Sequence, residues 1–227
     1  MLISRNKFLS SIDRQRVLET IGYDDDSTVP ARVLSMLDDF TEDTHNFVDP
    51  SYSYIIRDIQ SVHGDRITVE GSVTFHSQIL ARLLEHCQKV GIFIATIGDR
   101  FEGIVAELAT EGLVFKASLL DAIGSSAIEK IADLVHEKIC EQVCGQGLLC
   151  TSRRFSPGYC DWAINQQEMI FGCMGGNTAG VHLTEEHLML PRKSISGIIG
   201  IGDSNSQIEN YNPCKSCQAQ DCPGRRI

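Results

Sequence analysis

The chain has 227 residues, with 30 Asp and Glu against 20 Lys and Arg and a formal net charge of −10. That acidity argues against a nucleic-acid surface, which needs basic side chains to neutralise phosphates. With 42% hydrophobic residues there is enough apolar material for the core of one substantial domain or two small ones. No run of about 18 apolar residues occurs, so no membrane span is expected. Met1 to Lys7 carries no apolar stretch of the kind a signal peptide needs. These features predict a cytoplasmic protein, in which the nine cysteines act as thiols, metal ligands or cluster ligands rather than as disulfides.

Residues 10–47 predict two helices. The apolar stripe from Arg14 to Ile21 is broken by Gly22 and the acidic run Asp24-Asp25-Asp26, and Pro30 suits the start of a second helix running toward residue 46. Asp49-Pro50 opens an extended region, with strands expected over Ser53–Ile59 and Arg66–Val73. Ser77 to Val90 has a helical period through Ile79, Leu80, Leu83, Leu84 and Cys87. Gly91 to Gly98 is a short apolar run bounded by glycines, the pattern of a buried strand. Phe101 to Thr110 is expected to be helical, as is Ser118 to Val143, interrupted at Gly124. Four glycines between Phe171 and Gly180 predict a loop, and Val181–Thr184 and Ile195–Ile201 predict strands. The blocks of helices and strands lack βαβ alternation, so the fold class is α+β. The expected organisation is an N-terminal helical and extended segment over 1–60, a core over 61–202, and a linker with a cysteine-rich tail over 203–227.

Arg153-Arg154-Phe155-Ser156-Pro157-Gly158-Tyr159 is the stretch most suggestive of binding. Ser-Pro-Gly is a turn signal. The arginines offer forked donors for a carboxylate, and Tyr159 offers a ring and a hydroxyl. By itself the stretch also fits a surface turn with two solvated arginines.

Its context points further. Arg154, Gly158 and Tyr159 fall on an R-x-x-x-G-Y pattern. Upstream stands Ala127-Ile128-Glu129, followed by Val135-His136-Glu137. Downstream come Leu183-Thr184-Glu185 and Met189-Leu190-Pro191-Arg192-Lys193-Ser194-Ile195-Ser196-Gly197. In this order and spacing, roughly residues 75–202 resemble the activation domain of cobalamin-dependent methionine synthase, which binds S-adenosylmethionine (SAM). The resemblance implies one domain, a twisted antiparallel sheet flanked by helices. It also implies SAM contacts from Glu129, Arg154, Pro157, Gly158 and Tyr159, with Arg154 rather than Arg153 on the methionyl carboxylate. Ser126 to Glu129 also reads as a capping box after Gly124, and one glutamate can do both. His136 suits a structural histidine on an apolar helix face, and Glu137 a surface residue. Where the family has a further tyrosine after its M-x-P-x-x-S-x-S-G segment, this chain has Gln207, with Tyr211 the nearest tyrosine.

Neither glycine-rich piece, 172–176 or 197–202, matches a dinucleotide-binding fingerprint or a P-loop. Cys140 and Cys144 start a C-x₃-C-x₂ spacing, but Gly147 stands where a third cysteine would complete a radical-SAM motif, so both are expected to be buried thiols. The tail gives C-x₂-C-x₄-C-P through Cys214, Cys217 and Cys222. Three thiolates so close together can wrap one centre, an iron–sulfur cluster or a zinc ion, with Cys150, Cys160 or Cys173 as fourth ligand.

The resemblance implies SAM-dependent reductive methylation of cob(II)alamin. The chain carries no D-x-H-x-x-G cobalamin signature, so cobalamin would be supplied by a partner: a separate corrinoid protein or a methionine synthase lacking its own activation domain. An electron-donor protein is a further expected partner, with the tail cluster as relay. The alternative is a non-catalytic SAM-binding or corrinoid-protein-binding module with a structural zinc site.

Overall fold

The structure is a computed structural model that describes residues 12–23, 28–150, 152–203 and Cys214. Asp24-Asp25-Asp26, Gln207, Tyr211, Cys217 and Cys222 lie outside the described residues. Helix α1 (Arg14–Thr20) starts at Asp13, whose side chain accepts from the Arg16 amide, and α2 (Ala31–Phe47) starts after Pro30, as expected. Then come β1 (Ser51–His63), β2 (Arg66–Val69), β3 (Val73–His76), α3 (Gln78–Leu84), β4 (Lys89–Thr96), α4 (Arg100–Thr110) and α5 (Val114–Cys144). A short β5 (Leu149–Cys150), a 3₁₀ turn and α6 (Gln167–Cys173) precede the hairpin β6 (His182–Leu183) and β7 (Met189–Leu190), and β8 (Ser194–Gly202) closes the described core. Among the described residues no helix is long and apolar enough to cross a membrane.

Six strands pair antiparallel in the order β3-β2-β1-β4-β8-β5, bearing out the twisted antiparallel sheet flanked by helices. β4 is central and buried along nearly its whole length. Side chains alternate across a strand, so Val90, Ile92 and Ile94 enter one core with α3, Trp162 and α6. Phe93 and Ala95 enter a second core under α5, with Ile131, Val135 and Ile139. This double burial explains why the sequence over 91–98 is continuously apolar rather than alternating.

Helix α5 is buried on more than one side. It covers the sheet with one face, while Leu119, Ala122 and Ile123 pack against Val17, Leu18, Val33 and Leu37 of the N-terminal helices. A helix apolar nearly all round is one surrounded by protein.

Several local expectations are corrected. Gly124 does not interrupt α5, which runs unbroken for 31 residues. A Cβ there would stand 2.3 Å from Phe101 Cε1, so the glycine is there for a close helix–helix approach, which overrides its poor helix propensity. Ser126 consequently lies mid-helix and caps nothing in α5; its hydroxyl accepts from the Asp13 amide at 3.0 Å, joining α1 to α5. Arg66–Val73 is not one strand, because a turn with Gly71 and Ser72 at positive φ splits it into β2 and β3. The helix expected over 77–90 stops at Leu84, and residues 171–173 form the last turn of α6 rather than a loop.

Cys140 is not a free core thiol. It is bonded to Cys150, and Cys144 is exposed. The turn after α5 carries β5 back beside the last helical turns, setting the two Cα atoms 5.4 Å apart, within the span a disulfide bridges.

Gly124→Ala is expected to lower stability by roughly 1–3 kcal/mol through overpacking against Phe101, read as a lower urea midpoint. A gain in stability, as helix propensity alone would give, would refute the close-approach account.

Candidate functional site

The 153–159 loop is placed by main-chain bonds to β8. The Phe155 amide donates to the Ile198 carbonyl at 3.0 Å, and the Ile198 amide returns a bond at 2.9 Å. Gly197 permits this approach, since a Cβ would stand 2.9 Å from the Phe155 carbonyl oxygen and 3.0 Å from Ser156 Oγ. Ser156 Oγ donates to the Ser196 carbonyl at 2.6 Å. Phe155 stacks on Trp162 at 5.7 Å, and Phe75 meets that indole edge-on at 5.6 Å. Beyond Gly158, at φ +91°, the loop closes through the Gly158 amide to the Trp162 carbonyl at 2.7 Å. Asp161 then accepts from Ser77 Oγ and the Gln78 amide, both at 2.6 Å, at the start of α3.

With the loop so fixed, Arg154 faces α5. One guanidinium nitrogen donates to Asp133 Oδ1 at 2.6 Å and the other to Glu129 Oε2 at 3.2 Å. The Arg154 side chain is 20% exposed, Glu129 31% and Asp133 45%. Glu129 also has Arg16 Nη2 of α1 at 3.8 Å. Arg153 is exposed. Of the two arginines, Arg154 is the one held in ion pairs, and its partners are carboxylates on successive turns of one helix.

Glu129, Pro157 and Tyr159 border a cavity of about 660 Å³ between α5, the loop and the 184–196 segment, a size suited to a small organic ligand. Pro157 is buried, Gly158 is exposed beside it, and Tyr159 is 54% exposed. Arg154 is not part of the cavity wall; it stands behind Glu129. The wall also has hydroxyls from Ser125, Thr184, Ser194 and Ser196 and apolar surface from Ile128, Ile164, Met189 and Ile195. Lys193 is pinned across it, Nζ lying 2.9 Å from Asp121 and 2.8 Å from Ser125 Oγ. Cation, carboxylate, hydroxyl and apolar surface thus converge on one space. That mixture suits a small ligand that carries both charged and apolar parts.

Asp133, Lys193, Ser125 and Arg16 were not singled out in the sequence. Asp133 carried a signal: it lies four residues from Glu129 and so on the same helix face. Arg16 carried none, because its place depends on the Ser126–Asp13 contact.

His136 lies one turn further along α5, half-buried. Burial pushes its pKa below the usual value and the Arg154 charge pushes it further, against opposing contributions from Asp133 and Glu137. Glu137 is exposed. Of the cysteines considered as a fourth tail ligand, Cys150 is in the disulfide and Cys160 is exposed. Cys173 is buried, and burial pushes its thiol up despite Arg57, so it stays protonated. Cys214 is half-buried.

Over residues 79–226 the chain matches the model of the "Vitamin B12 dependent methionine synthase, activation domain" family. Among solved structures it is similar to the MetH reactivation domain bound to AdoHcy, at 14% identity and a TM-score of 0.65, over 92% of this chain and 78% of that one. No curated protein matches it.

Two outcomes test this geometry. Gly197→Ala should undock the loop and red-shift the emission of Trp162, the single tryptophan, with far-ultraviolet circular dichroism unchanged. Since the folded pKa of His136 is depressed, the unfolded chain binds the extra proton first. The stability it contributes is therefore present above the ordinary value of 6.5 and is lost as pH falls through 6.5 toward the lowered folded value. The urea midpoint should drop between pH 7 and pH 5 in the wild type and drop less in His136→Gln.

Proposed function

Because the chain belongs to the activation domain family of vitamin B12-dependent methionine synthase, we propose that it binds SAM in the cavity beside Glu129. In this reading it serves the reductive methylation of cob(II)alamin held on a separate corrinoid protein or on a methionine synthase lacking its own activation domain. The observation that carries the reading is Glu129 in the wall of a cavity of about 660 Å³, with the Arg154 guanidinium 3.2 Å from its carboxylate. A guanidinium beside a carboxylate complements a ligand that brings its own carboxylate and ammonium.

SAM would supply the methyl group, and one electron would bring the cobalt to the state that accepts it. This chain's residues hold and orient. Arg154 trades a carboxylate partner on α5 for the ligand's carboxylate in a charge-assisted bond. Glu129, still near Arg16, accepts from the ligand's ammonium or its ribose hydroxyls. Pro157 and Gly158 bring backbone close to the ligand, and Tyr159 lays its exposed ring at the mouth. No proton transfer is asked of any side chain, in keeping with catalysis by positioning.

The tail cysteines Cys214, Cys217 and Cys222 hold a metal centre in this proposal, on the strength of their spacing. An iron–sulfur cluster there would pass the electron, from a donor protein, to the partner's cobalt. Gln207 in place of the family's later tyrosine favours a second reading, a non-catalytic SAM-binding or corrinoid-protein-binding module with a structural zinc site.

Calorimetry with SAM should give a saturable isotherm, weakened about 10- to 100-fold in Arg154→Ala, the size of a charged hydrogen bond, and little changed in Arg153→Ala. Absence of binding would overturn the reading. Mixing the protein with a cob(II)alamin-loaded partner, SAM and a reductant should produce the methylcobalamin spectrum. Iron and sulfide analysis of anaerobically purified protein decides the tail: a colourless, zinc-loaded protein would reject electron delivery.

A further inference from the structure

Glu129, Asp133, His136 and Cys140 follow one another at intervals of four, three and four residues along α5, which places them on one face of the helix. The first two hold Arg154. The last two have no part in the methyl-transfer proposal, and Cys150 comes against them from β5. The ligand atoms of His136, Cys140 and Cys150 lie within 4.8 Å of one another, and all three residues are half-buried. We propose that His136, Cys140 and Cys150 form a redox-gated site for a thiophilic divalent cation of the zinc class, open when the Cys140–Cys150 bond is reduced and closed when it is formed.

The donor set is one imidazole and two thiolates, which zinc takes in sites that keep a fourth position for water. In a tetrahedron with zinc–sulfur bonds near 2.3 Å and zinc–nitrogen bonds near 2.1 Å, ligand atoms stand about 3.5–3.8 Å apart. The imidazole therefore has at most about 1 Å to close, and the sulfurs must move apart from bonding distance. Both are side-chain rotations, because the carriers are already fixed. His136 and Cys140 stand one helical turn apart, as in i, i+4 metal-binding helices. Cys150 is held in β5 by pairing with Ile201 of β8. All three residues are half-buried, so the site is not sealed from solvent. Arg154 places a competing positive charge near His136, and Asp133 offsets it at 2.6 Å from the guanidinium.

The gating balances. A dithiol reductant supplies two electrons and two protons, the S–S bond breaks to two thiols, and the reductant leaves as its own disulfide. Cation binding then releases both thiol protons to solvent. The site uses none of the side chains that line the cavity and none of the tail cysteines.

The test uses the full chain with Cys214→Ser, Cys217→Ser and Cys222→Ser, so that tail thiols cannot contribute. Cobalt(II) is titrated anaerobically into the protein reduced by a phosphine that is then removed. The expected result is a thiolate-to-cobalt charge-transfer band with tetrahedral visible bands, saturating at one equivalent and displaced by zinc. The same protein with the Cys140–Cys150 bond formed should lose at least about tenfold in affinity, as should Cys150→Ser and His136→Ala. No saturable spectrum in the reduced protein would overturn the proposal. So would a spectrum unchanged in Cys150→Ser, which would assign it to Cys144 or another thiol. The oxidised and reduced forms share one sequence, so the comparison holds even if a substituted variant does not fold. Calorimetry with SAM on the same samples shows whether the cavity is intact whatever the cobalt result.

Discussion

The site depends on a contact between two stretches of main chain. Phe155 and Ile198 exchange amide bonds across a gap that Gly197 leaves open, and everything functional in 153–159 is arranged about that point. On one side of it Arg154 turns toward α5; on the other, Ser156 to Tyr159 turns toward the cavity. The stacked Phe155–Trp162 pair and the Asp161 bonds to the start of α3 hold the ends. Because the fixed element is backbone against backbone, the loop's position does not rely on the flexible side chains that would meet a ligand. A rigid frame carrying adaptable contacts is what precise placement of a reacting group requires.

The second requirement is electrostatic. A partly buried arginine with no carboxylate nearby would carry a desolvation penalty. Here Glu129 and Asp133 relieve it from the long helix. In the binding mode proposed above, a zwitterionic ligand would exchange one ion pair for two without stranding a charge. Two carboxylates for one arginine matter for the same reason: were Glu129 to turn to a ligand, Asp133, 2.6 Å from Arg154, would still pair with it. Asp133 is in this sense a positioning residue, whose place follows from helical periodicity.

Much of this was legible in the residues. The apolar run at 91–98 announced a strand buried on both faces, Pro30 marked a helix start, and the spacing of Glu129, Arg154 and Gly197 carried the family. What was hidden had tertiary causes. Gly124 looks like a helix breaker until Phe101 is seen pressing on it. Ser126 looks like a cap until it is seen accepting from Asp13, 113 positions away. Cys140 and Cys150 look like unrelated thiols until the turn at 145–148 lays β5 along α5. Local chemistry reports what a residue can do, and distant neighbours choose among the options. Arg16 and Lys193 reach the cavity only through such choices.

The place of β8 in the sheet has a consequence for synthesis. β8 is the last of the described strands, yet it lies between β4 and β5. Until residues 194–202 have been made, the apolar edge of β4 has no partner on that side, and unpaired apolar strand edges invite pairing with other chains. The nascent chain therefore carries its central strand half-finished from the completion of β4 at Thr96 until β8 begins at Ser194. Gly197, which lets the 153–159 loop dock, belongs to the segment that ends this exposure, so the strand that covers the edge of β4 is also the one that completes the candidate site.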